Sequence, residues 1–139
     1  MKTFEEKTTV RYAETDQMGI VHHSHYPVWF EAARTGFIKS LGMSYSEVEK
    51  KGLLLPLSEL YVKYRSGALY EDELTVSVHI EKLTGARVTF GYRVTRDKDC
   101  TLIAEGFTVH AFTDSNLCVV NVMKTHKEIY DMLYRAWKD

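Results

Sequence analysis

Apolar positions along the chain change period from one segment to the next, and each change predicts an element. Residues 24–41 repeat at helical spacing: Tyr26, Phe30, Ala33, Phe37 and Leu41 fall on one stripe. Ser24 is the expected N-cap, Pro27 is tolerable in the first turn, and Gly42 is a suitable stop. A helix of about 18 residues is roughly 27 Å long, enough to cross a small domain. "SYSEVEKKG" predicts a short second helix ending at Gly52. Elsewhere the period is two. "LTVSVHI" alternates at Leu74, Val76, Val78 and Ile80, and "ARVTFGYRV" at Ala86, Val88, Phe90, Tyr92 and Val94. "GFTVHAFT" places Phe107, Val109 and Ala111 on its apolar face. "LPLSELYVKYRS" shifts phase near Glu59 and Leu60, which predicts a bulge. Residues 3–12 predict a first strand, and residues 124–137 an amphipathic closing helix carrying Ile129, Met132, Leu133, Ala136 and Trp137.

The turns "LTGAR" and "RDKDC" are short, so consecutive strands should pair antiparallel. One long helix cannot cover both faces of a sheet. The economical arrangement is α+β: a curved antiparallel sheet wrapped around that helix, in a single domain over residues 1–139. The uncovered edges of such a sheet favour oligomers.

Composition narrows the function. The chain has 139 residues, 45% of them apolar, with a formal net charge of −1. That size can bury a core, and that charge gives no footprint for nucleic acid or for a membrane surface. The start "MKTFEEKTTV" has no apolar signal region, and the longest apolar run, "GLLLPL", is too short to span a bilayer. Cys100 and Cys118 lack CxxC spacing and read as free thiols in a reducing cytoplasm.

The chemistry concentrates in "ETDQMGIVHHSHYP", residues 14–27. A zinc site built from His22, His23, His25 and Asp16 has poor spacing: the adjacent histidines of an extended segment point to opposite sides. No metal is expected. A carboxylate acting alone fits better. Asp16 precedes His23 by seven residues, and Gly19 lets the backbone turn between them. Asp16 can then face the N-terminus of the helix, whose unpaired N–H groups suit a developing oxyanion. Such a pair is sufficient for acyl transfer to water, with Asp16 attacking the acyl carbon or acting as base. Thiolate leaves with little acid assistance because thiols have a pKa near ~8.5, so a thioester suits a single carboxylate. The plainer alternative is that Asp16 caps a turn and Gly19 supplies a positive φ.

The stretch "VRYAETDQMGIVHHSHYPVWFEAART" resembles the opening motif of hotdog-fold acyl-CoA thioesterases of the 4-hydroxybenzoyl-CoA thioesterase family, including its Tol-Pal-associated branch. The matching positions are Tyr12, Thr15, Asp16, Gly19, Val21, His22, His23 and Tyr26, followed by Glu31 and Arg34 on the helix. The resemblance implies that Asp16 is the catalytic carboxylate and that the His23 N–H is the main oxyanion donor. It makes the His23 side chain and Tyr12 supporting groups. Gly19, His22 and Tyr26 would shape the substrate pocket; His22 stands where a Tyr or Trp is common. His25 matches no catalytic position. The resemblance also implies an acyl-CoA substrate (aryl or short to medium chain), no bound cofactor, and dimers or tetramers with active sites between subunits.

CoA brings phosphates, so cations matter. Arg87 follows the "LTGA" turn in a region where the family often contacts CoA; Lys63, Arg65 and Lys82 are further candidates. Glu59 interrupts an apolar stretch, which suits either a cleft carboxylate with a raised pKa or a bulge residue. Trp29 and Phe30 should pack in the core. The expectation is a cytoplasmic acyl-CoA thioesterase. A hotdog hydratase or dehydratase and a non-catalytic acyl-CoA binder are the alternatives.

Overall fold

A computed structural model describes residues 1–139. In chain order the elements are β1 (Thr3–Thr9), α1 (Tyr26–Ser40), α2 (Tyr45–Lys50), β2 (Leu57–Tyr64), β3 (Glu73–Leu83), β4 (Arg87–Arg96), β5 (Leu102–Ala111), α3 (Val122–Thr125) and α4 (Lys127–Lys138). The strands form one antiparallel five-stranded sheet in the order β1-β3-β4-β5-β2. The expected α+β plan is therefore present, with α1 packed on one face of the sheet.

The α1 stripe does what its spacing predicts. Tyr26, Phe30, Ala33 and Phe37 are buried. The Phe30 ring stacks on Tyr92 of β4 at 4.2 Å between centroids, and Phe37 meets Phe90 edge-on at 6.4 Å. Gly36 faces β1 because nothing larger fits: an added Cβ would lie 2.6 Å from the Phe4 ring. Gly42, at φ +117°, ends the helix as expected. The expected cap differs. A 3-10 turn at His23–His25 leads into α1, so His25 occupies the cap position and Ser24 does not. The first strand is also shorter than predicted, because Tyr12–Glu14 turns away as a 3-10 turn. The closing helix is broken at His126 (φ −142°, ψ 61°), which separates α3 from α4. α4 still buries Ile129, Met132, Leu133 and Ala136 as its stripe requires.

Strands β3 and β4 face the helix with Leu74, Val76, Val78 and Ile80 and with Val88, Phe90, Tyr92 and Val94, as their alternation predicts. β5 reverses the expectation. Its register pairs Gly106 with Tyr92 and Thr108 with Phe90, so Ala104, Gly106, Thr108 and His110 face the helix. Phe107 lies on the outer face, stacked on Tyr61 at 5.3 Å. Space at Gly106 is closed: an added Cβ would overlap the Tyr61 carbonyl of β2 and come within 3.2 Å of the Phe30 ring. Bulky residues come from α1 and β4, and β5 supplies the small ones.

The polar groups inside β5 are not orphans. Arg34 Nη1 donates to Tyr92 OH (3.0 Å), and Tyr92 OH lies 2.6 Å from Thr108 Oγ1. His110 Nε2 lies 2.9 Å from Thr108 Oγ1, and its Nδ1 lies 3.1 Å from the Leu55 carbonyl. A carbonyl only accepts, so Nδ1 carries the proton and Nε2 accepts from Thr108. Every hydroxyl then donates in one direction from Arg34 to Leu55. Only Arg34 Nε is left without a partner.

Strand β2 lies at the sheet edge, with a register shift between Leu57 and Glu59 where the bulge was expected. Leu57, Leu60, Tyr61 and Tyr64 along it are exposed. No helix is long and apolar enough to cross a membrane.

Candidate functional site

The residues 14–23 fold into a small closed loop. The Asp16 N–H donates to the Ile20 carbonyl (2.8 Å), the Gly19 N–H to the Asp16 carbonyl (2.9 Å), and Thr15 bridges to Val21. Gly19 holds φ +83°, a conformation that favours glycine. One carboxylate oxygen of Asp16, Oδ1, accepts from the Met18 N–H at 2.9 Å. The turn-capping reading of Asp16 is thus correct, and it does not exhaust the residue: Oδ2 takes no hydrogen bond from the chain.

Asp16 and His23 line one open cleft of about 280 Å³ at the start of α1. Tyr26, Tyr64, Arg65 and Ser66 contribute to its walls. The Tyr64 hydroxyl donates to the His23 carbonyl at 3.0 Å, fixing one side of the peptide that opens the 3-10 turn. His22 Nδ1 accepts from the Ser24 N–H at 3.2 Å. The His22 ring caps the 3-10 turn that carries His23, and no side chain caps α1 itself.

The three histidines behave differently from the sequence expectation. His22 and His23 do not point apart: their rings lie 4.1 Å centroid to centroid, because the chain turns there instead of extending. His25 meets His22 edge-on at 6.3 Å. They do not converge with Asp16 as a ligand set.

The remaining predicted residues are dispersed. Tyr12 is 77% exposed and packs edge-on against Tyr70 at 5.6 Å, outside the cleft walls. Gly19 and His22 are also absent from those walls. Glu59 is exposed on the outer sheet face, the bulge reading and not a buried carboxylate. It shares a separate cleft of about 500 Å³ with Lys82, Arg87 and Phe107. Lys63 and Arg65 line a third, of about 370 Å³, with His79 and Glu81. Arg65 borders both this cleft and that of Asp16, and its guanidinium is paired to Glu105 at 2.8 Å. Cys100 and Cys118 are exposed free thiols.

Glu14 is the residue that sequence reasoning passed over. Only 3% exposed, it accepts from the Arg11 N–H (2.8 Å), the Arg11 guanidinium (3.3 Å) and the Trp29 indole N–H (3.2 Å). Burial alone would raise its pKa, yet these donors outweigh it and the carboxyl sits below its ordinary value. One signal could have found it: Trp29 is a core residue, and a buried indole N–H needs an acceptor. Burial likewise pushes the Tyr26 hydroxyl in the cleft wall up to about 12, with Tyr64 adding to the shift.

Comparison with known proteins gives the family and the fold. The model of the thioesterase-like superfamily matches residues 10–132, and the chain belongs to that family. YneP of Bacillus subtilis is 43% identical over 94 residues, 68% of each chain. Acyl-CoA thioesterase YbgC of Haemophilus influenzae is 30% identical over 89 residues, 63% of this chain and 65% of that one. Among solved structures, DHNA-CoA thioesterase of Staphylococcus aureus superposes with a TM-score of 0.90 at 28% identity, covering 97% of this chain and 91% of that one. The fold is the hotdog fold that the motif implies.

Proposed function

We propose that this member of the thioesterase-like superfamily hydrolyses acyl-CoA thioesters to a free acid and CoA. The observation that carries the reading is that Asp16 and His23, in the turn that leads into α1, line one cleft. Relatives named as acyl-CoA thioesterases support the same class of thioester hydrolase.

In this reading the acyl carbonyl oxygen lies against the N-terminal end of α1, where the His23 N–H receives charge as the tetrahedral centre forms. Asp16 Oδ2 either attacks the acyl carbon or takes a proton from the attacking water. The Met18 N–H holds the other oxygen, which fixes the carboxylate plane. Collapse expels a thiolate, which needs no strong acid; after direct attack, water then hydrolyses the acyl–Asp16 anhydride, releasing the free acid and restoring the carboxylate. Tyr26 forms part of the cleft wall and Gly19 holds the turn that carries Asp16, while Arg87 and Glu59 line a separate cleft.

The exposed edge β2 supports a homo-oligomer, dimer or tetramer. Its unpaired backbone edge and exposed Leu57, Leu60, Tyr61 and Tyr64 suit pairing with a second copy. Tyr64 and Arg65 place that edge beside the Asp16 cleft.

The test is thiol release from a panel of aryl-, short-, medium- and long-chain acyl-CoAs. Asp16→Asn should lower kcat by about a hundredfold to ten-thousandfold. A variant as active as the wild type would sink the assignment. Double-bond chemistry without free thiol would point to a hydratase, and binding without turnover to a sensor.

A further inference from the structure

Asp16 sits on a loop, and a loop by itself holds a reacting group poorly. The structure shows where the missing rigidity comes from. Two residues upstream, Glu14 is nearly fully buried, and its side chain and backbone contact three separate parts of the molecule. The carboxylate accepts from both the backbone and the guanidinium of Arg11, at the end of the first strand segment. It accepts from the Trp29 indole, one turn inside α1. Its backbone carbonyl accepts from the His22 N–H at 2.8 Å, immediately before His23. Trp29 in turn packs edge-on against Tyr26, at 5.1 Å, in the wall of the Asp16 cleft.

We propose that Glu14 is a positioning residue, which locks the Asp16 loop to the start of α1 so that carboxylate and oxyanion donor keep one spacing. The inference rests on the reading of Asp16 as the reacting carboxylate. Glu14 touches neither substrate nor the cleft, since it is buried behind the loop. Its geometry is specific to an ionised carboxylate, because three N–H donors converge on two oxygens and no acceptor faces them. A glutamine there keeps the size but turns an NH2 toward one of these donors.

The experiment uses the intact chain, at a temperature well below the melting transition of each variant. In Glu14→Gln, kcat for thiol release should fall at least about tenfold, since a misplacement on the ångström scale costs that much or more. KM should stay within about twofold, because the ground-state contacts are elsewhere. Amide hydrogen exchange should quicken across residues 15–23 and stay unchanged in β3, β4 and α4. Trp29→Phe keeps an aromatic ring but removes the indole donor together with part of the ring volume; it should reproduce the kcat loss in part, and the double variant should lose no more than Glu14→Gln alone. If Glu14→Gln fails to fold, Trp29→Phe decides. A kcat within twofold of wild type, unchanged exchange in 15–23, or additive losses in the double variant each overturn the inference. The underlying reading fails separately: wild-type protein would then release no thiol, or Asp16→Asn would release it normally, while the exchange pattern still decides whether Glu14 locks the loop.

Discussion

At its N-terminal end helix α1 meets the Asp16 loop, whose cleft opens to solvent; along its buried face it meets a polar chain from Arg34 to Leu55. Both regions draw on histidine, tyrosine and arginine; a carboxylate, Asp16, belongs only to the first. In the first, Asp16 keeps one oxygen free and His23 is exposed. In the second, His110 is 1% exposed, and both ring nitrogens have partners inside the protein. The difference teaches that a polar residue is available for chemistry when its environment leaves a valence open. When each valence is filled in the interior, the same residue specifies packing.

The sharpest way to break the comparison is to remove one member of each region. Asp16→Asn should cost about a hundredfold to ten-thousandfold in kcat. It should barely move the melting temperature, because an asparagine Oδ1 can still accept from the Met18 N–H. His110→Ala should do the reverse. It leaves a cavity and unpairs Thr108 and the Leu55 carbonyl, for a loss of about 3–4 kcal/mol in stability. Turnover of the folded protein at low temperature should remain near wild type. Denaturant unfolding and thiol release on the same two variants check both halves; an inactive His110→Ala protein that is fully folded would join the two regions and refute the division.

A pH series tests the buried chain without mutation. Burial, then the nearby Arg34 charge, depress the His110 pKa from 6.5 to about 4, and the Leu55 hydrogen bond opposes them only weakly. Between those two values the unfolded chain binds a proton that the folded protein refuses. Stability therefore falls as pH drops through this window, by up to about 3 kcal/mol. Glu14 acts in the same direction lower down: its depressed pKa gives stability that is present above the unfolded value and lost as pH falls through the folded one. Urea midpoints at pH 7 and pH 4.5 should differ clearly in wild type and less in His110→Gln. Equal slopes would remove His110 from the account.

The smallest expected effect is at the seam between sheet edge and cleft. Tyr64→Phe keeps the ring against Tyr26 (5.3 Å) and deletes only the hydroxyl that reaches the His23 carbonyl. One net hydrogen bond is worth about 1 kcal/mol, so the loss of stability should not exceed that and kcat should fall by up to about fivefold. A larger drop in stability than in kcat would make Tyr64 a structural residue only.

Much of the fold was legible because period is a local property. The α1 stripe, the alternation of β3 and β4, the bulge at Glu59 and the positive φ of Gly19 all follow from neighbours in sequence. Other features depended on distant partners. Phe107 and Val109 look like a core face by pattern, yet the register with β4 turns Gly106 and Thr108 toward the helix, where the Tyr61 carbonyl and the Phe30 ring leave no room for a side chain at 106. Ser24 has the chemistry of a cap, but the 3-10 turn moved the cap position to His25. The break at His126 interrupts an amphipathic stripe that reads as continuous, and His126 instead reaches the Lys51 carbonyl at 2.7 Å.

The sequence by itself determined which residues form the helix and strands, and that a carboxylate would arrive at the start of α1, because both depend on spacing along one chain. Only the tertiary structure decided which way β5 faces, that Glu14 is buried against Trp29, that Arg34 and His110 close one hydrogen-bond chain, and that Arg87 and Glu59 lie on another face than Asp16. Those outcomes turn on volume and on hydrogen-bond partners 15 to 58 residues away, and no local pattern encodes either.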